Sequence, residues 1–382
     1  MRLGRLNQIQ FLRFLAFFLL FEYHASMWIP NYANNNVTVL FALVFFILLS
    51  GFMSSYSLYY KDIEPTAHNI LRYFRKKLIR FYPLYLITNL ITVIYTIPFG
   101  SVAYHNFKDV FTKGFEFVAT IFMLQTWIFR PFIFNAASWY IASIVWLSLL
   151  NIPFSSFSKK IMVQDKAMIK FVGIAIISTM YTVLAAIVAM VVFHLSETDG
   201  ITAHPLIIGG IYVTGMALGN IAILIKERNP ELENKTTLFT WIEILLFVLS
   251  YIIVSYNGEG NAVVYILPIL LDCAILIVFT LGYGNLSKLF TRKTFVMLGN
   301  ITFDAYLIHQ VIIFLFANIN GWRAETRLGN LYALSFCLVT SLVIAMFLYN
   351  TKQKYPHIPT TNIANEIVPI HSEKNRNKDK AM

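Results

Sequence analysis

Apolar residues dominate this chain in long runs separated by short polar segments. Eleven such runs are visible, and each has the 15 to 26 residues of a helix rather than the shorter span of a strand. The pattern therefore predicts an all-α protein, a polytopic bundle of transmembrane helices. The runs cover residues 9–29, 37–58, 78–98, 115–129, 138–153, 168–193, 205–225, 238–256, 262–281, 295–316 and 331–349.

The polar segments differ in charge, and this difference predicts how the chain crosses the membrane. Loops rich in Lys and Arg remain on the cytoplasmic side. Residues 59–77 and 154–167 carry several of these basic residues, whereas 194–204 and 257–261 carry none. We therefore expect both termini to be cytoplasmic. The alternation holds only if residues 115–153 cross the membrane once.

Residues 115–153 contain two short apolar runs, 115–129 and 138–153, with Arg130 and Pro131 between them. If together they cross once, the whole chain makes about ten crossings and one of the two runs is re-entrant or broken. Irregular backbone at membrane depth is tolerated only where protein or a water-filled cavity covers it. The 115–153 region is therefore a candidate wall of a site.

Composition supports a membrane protein and excludes a soluble one. The chain is 58% hydrophobic and 13% charged, against about 25% charged residues in soluble domains. A net charge of +11 would suggest nucleic acid for a soluble chain. Here membrane orientation explains the charge, and no nucleic-acid partner is predicted. We expect a membrane domain over 1–350 and a polar, disordered cytoplasmic tail over 351–382.

The first apolar run is unusual because it carries ionisable residues, among them Arg13 and His24. Such residues are costly inside a membrane helix and by default face a protein interior or a functional pathway. Eleven residues separate the two, so both project from one face of a helix, roughly 16 Å apart along its axis. The alternative is a snorkelling arginine and a histidine buried between helices.

A second group of basic residues precedes the third run. Arg72, Arg75, Lys76 and Arg80 recur at helical spacing. Together with Arg13 on the same side, they would suit a multiply phosphorylated cytosolic ligand. The alternative is that they orient the chain and contact anionic lipid headgroups.

Other polar residues within apolar runs are candidates for a substrate pocket, with packing or interfacial roles as alternatives. The histidines lack the four-residue spacing of a helical metal site, so no metal is predicted. The pocket candidates are Ser50, Trp139, Tyr140, Asp304 and His309.

These residues form an ordered series that resembles the integral-membrane acyltransferase-3 family, the bacterial polytopic O-acyltransferases of surface polysaccharides. The series runs from about residue 7 to residue 310. Its elements are Arg13 with His24-Ala25, Phe45-Phe46 with Ser50-Gly51-Phe52, Arg75 with Arg80-Phe81-Tyr82-Pro83, Trp139-Tyr140, and Ile301-Thr302-Phe303 with Tyr306-Leu307-Ile308-His309.

The resemblance implies a membrane O-acyltransferase, most simply an O-acetyltransferase, in the bacterial cytoplasmic (inner) membrane. Acetyl-CoA or another acyl-CoA would be the donor substrate, and no cofactor would remain bound. The acceptor would be a hydroxyl of a surface or exported polysaccharide or of its lipid-linked precursor. His24 and Arg13 would be catalytic, and Arg75, Lys76 and Arg80 would bind the acyl-CoA. His24 would act as a general base or carry the acyl group transiently.

The chain departs from the family pattern in two respects. Relatives carry an acidic residue after the tryptophan, in a Trp-Ser-Leu-x-x-Glu pattern, whereas Trp139 is followed by Tyr-Ile-Ala-Ser. The sequence also shows no extracytoplasmic hydrolase-like domain, so we expect the chain to act alone or with a separate glycan-assembly partner.

Two other classes of protein stay open at this level. A transporter or flippase for a glycan precursor would also line its path with intramembrane charges. Broken helices in corresponding halves and an internal repeat would favour it, and neither is visible. A membrane scaffold in a glycan-export complex would have no need of the charged face on the first helix.

Overall fold

The fold is known from a computed structural model, which describes residues 5–27, 36–99, 107–196, 199–255, 262–319 and 326–354. Within these residues, the regular structure is helical and there is no strand. The α-helices are α1 (Asn7–Ser26), α2 (Asn36–Leu58), α3 (Ala67–Phe99), α4 (Phe107–Ile121), α5 (Ser138–Leu147), α6 (Asn151–Met162), α7 (Ala167–Val191), α8 (Pro205–Arg228), α9 (Thr236–Ser255), α10 (Ala262–Leu281), α11 (Asn285–Phe290), α12 (Lys293–Ile319) and α13 (Arg327–Lys354).

The described residues include eight helices that are long and apolar enough to cross a membrane. They are α2, α3, α7, α8, α9, α12, α13 and the joined pair α5–α6, which a short 3-10 turn at Ser148–Leu150 makes nearly continuous. Helices α1 and α10 pack among them. The prediction of an all-α polytopic bundle is confirmed.

The bundle has buried inner helices and outer helices with exposed apolar surfaces. Most of the apolar window of α2, α8 and α12 is buried, whereas that of α7, α9 and α13 is largely exposed. On α7, for example, Ile177 is 70% exposed. Such surfaces suit contact with lipid chains. The inner helices therefore form the core in which polar side chains can be held.

Glycines bring the inner helices into backbone contact. A β-carbon at Gly51 of α2 would lie 1.9 Å from the carbonyl oxygen of Tyr212 on α8. At Gly215 of α8 it would lie 2.0 Å from the carbonyl oxygen of Leu48. Only glycine fits such a close approach between membrane helices. Gly51, next to the pocket candidate Ser50, therefore serves the packing of α2 against α8.

The helical structure breaks between α4 and α5, inside the predicted 115–153 region. The run predicted at 115–129 is helical only as far as Ile121, and residues 122–137 are irregular. This segment is held by hydrogen bonds from α3 and α5. The indole Nε1 of Trp146 donates to the carbonyl of Met123 at 2.9 Å. The broken run of the pair is therefore the first one.

One helix lies where only a loop was expected, because its stabilisation is tertiary. Helix α11 falls within the 282–294 loop and begins beside Glu243, a buried acid of α9. The Glu243 carboxylate accepts hydrogen bonds from the backbone N–H of Leu286 at 3.0 Å and of Ser287 at 3.3 Å. It thus caps the first turn of α11 from another helix.

Some predictions fall outside the described residues. Of the tail predicted at 351–382, residues 351–354 continue α13 and the remainder lies outside. The loop at 257–261, whose lack of Lys and Arg predicts an extracytoplasmic position, lies outside the described residues as well.

Candidate active site

Helices α1 and α12 run side by side in the same direction and hold the two predicted histidines together. At one end, Nη2 of Arg5 donates to Oδ1 of Asn300 at 2.9 Å. At the other end, Nδ1 of His24 lies 2.8 Å from Nε2 of His309. Next to the first contact, a β-carbon at Gly299 would lie 2.0 Å from the carbonyl oxygen of Gln10. Glycine therefore allows the close packing that brings the imidazoles into contact.

The hydrogen bonds of the histidine pair assign the ring protons. Nδ1 of His309 lies 2.5 Å from the carbonyl oxygen of Tyr306, which can only accept, so this nitrogen carries a proton. In a neutral His309, Nε2 is then an acceptor, and it accepts a hydrogen bond from the N–H at Nδ1 of His24. Nε2 of His24 is thereby left with a lone pair. This network presents a basic nitrogen on His24.

Aromatic rings surround the pair on its protein side. The ring of Phe17 meets His309 edge-on, with 5.6 Å between centroids, and Phe21 lies 6.2 Å away. His309 is fully buried, whereas His24 is only partly buried. His24 is therefore the member of the pair that a substrate can reach, and His309 is held behind it.

Arg13 lies about three turns before His24 on α1 and borders a narrow cavity of about 50 Å³. The guanidinium is buried, and its Nη1 donates to Oε1 of Gln10 at 2.8 Å. The cavity continues to Tyr306, whose carbonyl holds His309. Its polar and aromatic lining includes Arg13, Ser50, Phe81, Tyr140, Thr302 and Tyr306.

Ser50 and Tyr140 form one hydrogen-bonded unit in the wall of this cavity. The Tyr140 hydroxyl donates to the carbonyl of Phe46 at 3.0 Å and lies 2.7 Å from the Ser50 hydroxyl. Because the tyrosine proton is used on the carbonyl, the Ser50 hydroxyl donates to the tyrosine oxygen. The unit fixes both side chains and joins α2 to α5.

The charges near Arg13 are mainly positive. Arg5 and Arg80 both act electrostatically on Arg13, and Asp304 acts in the opposite sense. Asp304 is itself paired with Lys352 of α13, at 2.7 Å. With the positive charges in excess of the carboxylates, this end of the cavity is suited to an anionic ligand.

Family comparison decides what kind of chemistry this site serves. A family model described as "Acyltransferase domain" matches residues 6–350, nearly the whole chain. The chain belongs to the acyltransferase-3 family. It is therefore a membrane acyltransferase. Comparisons with curated proteins and with solved structures find no match.

The acyltransferase holds the other predicted site residues at different distances from the cavity. Arg80 is half-buried, with its guanidinium 5.5 Å from the ring centroid of Phe81, which lines the cavity. Arg75 and Lys76 are exposed. The structure thus divides the predicted acyl-CoA-binding cluster into one residue beside the cavity and two at the surface.

Trp139 and Asp304 are buried but do not line the cavity. The Trp139 ring packs edge-on against Tyr140, with 6.2 Å between centroids, and so supports a residue that does line it. Asp304 pairs with Lys352 behind α12. Both residues lie one layer outside the cavity wall.

Some site residues of the acyltransferase carry only a weak signal in the sequence. Tyr306 precedes His309 by three residues, the spacing at which a helical side chain can reach back to a carbonyl. Gln10 precedes Arg13 by the same interval. Neither spacing is specific. No group of three or more potential metal ligands occurs among the residues that the structure describes.

Proposed function

We propose that this acyltransferase moves an acetyl group from cytoplasmic acetyl-CoA to a hydroxyl of a cell-surface or exported polysaccharide or of its lipid-linked precursor. The observation that carries this proposal is the histidine pair, which leaves Nε2 of His24 with a lone pair. The family supplies acyl transfer, and this nitrogen supplies a base where the acceptor hydroxyl would react.

In the direct route, His24 is the general base. The acceptor oxygen attacks the thioester carbonyl, forming a C–O bond, while its proton passes to Nε2 of His24. The C–S bond then breaks, and the proton neutralises the departing CoA thiolate. His309 accepts the hydrogen bond from His24 throughout and stabilises the imidazolium formed in between.

In the covalent route, His24 carries the acyl group. Nε2 attacks the thioester carbonyl, a C–N bond forms and the CoA thiolate leaves. The acceptor hydroxyl then displaces the imidazole, and its proton restores the thiol. Both routes use the same nitrogen. An acetyl-imidazole adduct trapped on His24 would support the covalent route over the direct route.

Donor binding is assigned to the basic end of the cavity. Arg13 and Arg80 would contact phosphates of acetyl-CoA, while the exposed Arg75 and Lys76 would attract it at the membrane surface. Arg13 and His24 are roughly 16 Å apart along α1, a separation that an extended pantetheine arm can span. Tyr306 borders this cavity and also holds His309, which supports a continuous path.

The orientation that follows has the Arg5 end of the bundle and both termini in the cytoplasm of a bacterial inner membrane. Basic residues at 226–237, 282–294 and the end of α13 support it. A single cysteine at Lys160 should react with an impermeant maleimide only after permeabilisation, whereas one at His194 should react in intact cells. Reaction of both in intact cells would contradict the topology.

Analysis of the surface glycan tests the function itself. Cells that produce the protein should carry ester-linked acetyl groups that are absent from cells without it, and the purified chain should bind acetyl-CoA. A transporter or flippase would change the amount of exported glycan without changing its acetyl content. That result, together with no acetyl-CoA binding, would overturn the proposal.

A further inference from the structure

The irregular 122–137 segment has a strained backbone. Met123, Phe129 and Phe134 adopt positive φ angles of 57°, 54° and 54°. This left-handed conformation is costly for bulky residues and persists only where the surroundings impose it. Three such residues in one short segment indicate a conformation retained for a purpose beyond connecting α4 to α5.

Hydrogen bonds hold two amides of this segment along one face of α3. Nε2 of Gln125 donates to the Tyr85 hydroxyl at 2.8 Å, and the backbone N–H of Asn135 donates to Oδ1 of Asn89 at 3.3 Å. Tyr85 and Asn89 are four residues apart, so they are neighbours on the helix. Gln125 and Asn135 are therefore bound to successive turns of α3.

The same segment is attached to the turn of α12 that holds His309. Nδ2 of Asn135 donates to the carbonyl of Leu307 at 2.9 Å. The Tyr306 hydroxyl donates to the carbonyl of Ala137 at 2.8 Å. Because the Tyr306 carbonyl binds His309, these bonds connect Asn135 and Ala137 to the turn of α12 that holds this histidine.

Both amides have an unused oxygen. Gln125 and Asn135 are each 1% exposed, and their nitrogens are fixed by the bonds above. Oε1 of Gln125 and Oδ1 of Asn135 have no hydrogen-bond partner within the described residues, and neither have the Thr126 hydroxyl and the Trp127 indole N–H. Buried polar atoms are rarely left in this state, so the group indicates a ligand.

We propose that the 122–137 segment is the acceptor-binding element and that the amide oxygens of Gln125 and Asn135 accept hydrogen bonds from sugar hydroxyls. This inference rests on the proposed function, because it requires a glycan acceptor that reacts at His24. Hydroxyl groups both donate and accept, so they match two free acceptors, one free indole N–H and one free hydroxyl.

Location and ring chemistry favour the sugar over the donor. The Phe129 ring stacks on His204 with 4.6 Å between centroids, and Trp127 meets the same imidazole edge-on. Burial lowers the pKa of His204, so its ring is uncharged at pH 7. Half-buried, uncharged aromatic rings can pack against the C–H face of a sugar ring. The phosphates of the donor would instead bind at the basic end of the bundle.

Strain in the segment also fits entry of a ligand to buried amides. The left-handed residues raise the energy of the observed conformation, and this lowers the cost of moving the segment aside. Phe132, which is 45% exposed, and the exposed Arg130 place its middle at the protein surface. The segment therefore connects the surface with the buried amides.

The test uses the full chain in lipid nanodiscs, with acetyl-CoA as donor and a panel of alkyl glycosides as acceptor probes. Gln125→Met and Asn135→Leu keep side-chain size and remove the amide. Each should raise the KM for the glycoside about tenfold, the effect of one lost hydrogen bond, and leave the KM for acetyl-CoA unchanged. Thr92→Val is the matched control, because the Thr92 hydroxyl is buried and bonded within α3.

A binding measurement covers the case in which a variant folds poorly. Glycoside should change the tryptophan emission of the wild-type protein, and Trp127→Phe should remove most of this change. A wild-type protein that does not turn over acetyl-CoA would overturn the proposed function. If the wild-type protein is active, any of three results would overturn this inference alone. The first is that neither amide substitution changes the KM for the glycoside, and the second is that the variants lose affinity for acetyl-CoA instead. The third is that no glycoside changes the tryptophan emission of the wild-type protein.

Discussion

The two ends of the functional face of α1 differ in nearly every physical respect. Around Arg13 there is a narrow cavity, a hydroxyl pair and an excess of positive charge. Around His24 there are two imidazoles in contact and the phenyl rings of Phe17 and Phe21. One end is suited to holding an anion, and the other is suited to moving a proton.

In the proposed mechanism, the length of one helix separates donor binding from chemistry. A charged guanidinium beside the histidines would stabilise the neutral imidazole and weaken it as a proton acceptor. Distance along α1 avoids this conflict, and the proposed extended donor would occupy both places at once. Substitutions at the two ends should therefore change different kinetic constants.

The largest effect is expected at the histidine end. His24→Ala should leave the protein inserted and folded but lower acyl transfer by about 10²–10⁴-fold, the contribution of a positioned base. Glycan acetylation normalised to protein level measures it. His68→Ala is the control, because His68 is exposed at the start of α3. Wild-type acetylation in a well-expressed His24→Ala strain would contradict both the direct route and the covalent route.

At the other end, Arg13→Ala should raise the KM for acetyl-CoA by roughly ten- to a hundred-fold through loss of a charge-assisted hydrogen bond. Its effect on kcat should be smaller. Arg13→Lys should recover part of the affinity, because it keeps the charge without the planar fork. Initial rates over a range of acetyl-CoA concentrations separate the two constants. A fall in kcat with unchanged KM would place Arg13 in the chemical step instead.

A milder effect on kcat is expected for the second histidine. His309→Ala removes the acceptor that holds Nδ1–H of His24 and should lower kcat by about tenfold or more, as for a residue that orients a base. His309→Gln retains a side-chain acceptor and should restore part of the activity. Equal activities for these two variants would indicate that packing, rather than the hydrogen bond, is the role of His309.

The smallest difference between two substitutions is expected within the predicted acyl-CoA-binding cluster. Arg80→Ala should raise the KM for acetyl-CoA several-fold more than Lys76→Ala, because Arg80 is half-buried beside the cavity and Lys76 is exposed. Exposed charges are screened by salt, so the Lys76 effect should vanish at high ionic strength. Equal shifts from both substitutions would point to lipid contact instead.

Most of the fold could be predicted from the sequence because bilayer thickness fixes helix length. Within the residues that the structure describes, the predicted runs are helical apart from a few residues at their ends and the 122–129 stretch. Loop charge also located the irregular region within 115–153. Helix α11 could not be predicted, because its cap, Glu243, comes from another helix and lies 43 residues before the Leu286 N–H that it binds.

The site was less predictable because its central contact joins distant parts of the chain. His24 and His309 are separated by 285 positions, and no periodicity relates α1 to α12. The spacing of Arg13 and His24 predicted a shared face, but not which nitrogen would be basic. That property depends on the Tyr306 carbonyl, a backbone group that no side-chain pattern reveals.

The glycine contacts between α2 and α8 have a mechanical consequence. Two helices whose backbones touch at Gly51 and Gly215 cannot slide past each other without a severe clash, so this part of the bundle behaves as one rigid body. A carrier that rocks between two open states needs a sliding interface, whereas an enzyme that transfers only an acyl group does not. We expect the membrane to stay electrically sealed throughout each catalytic cycle.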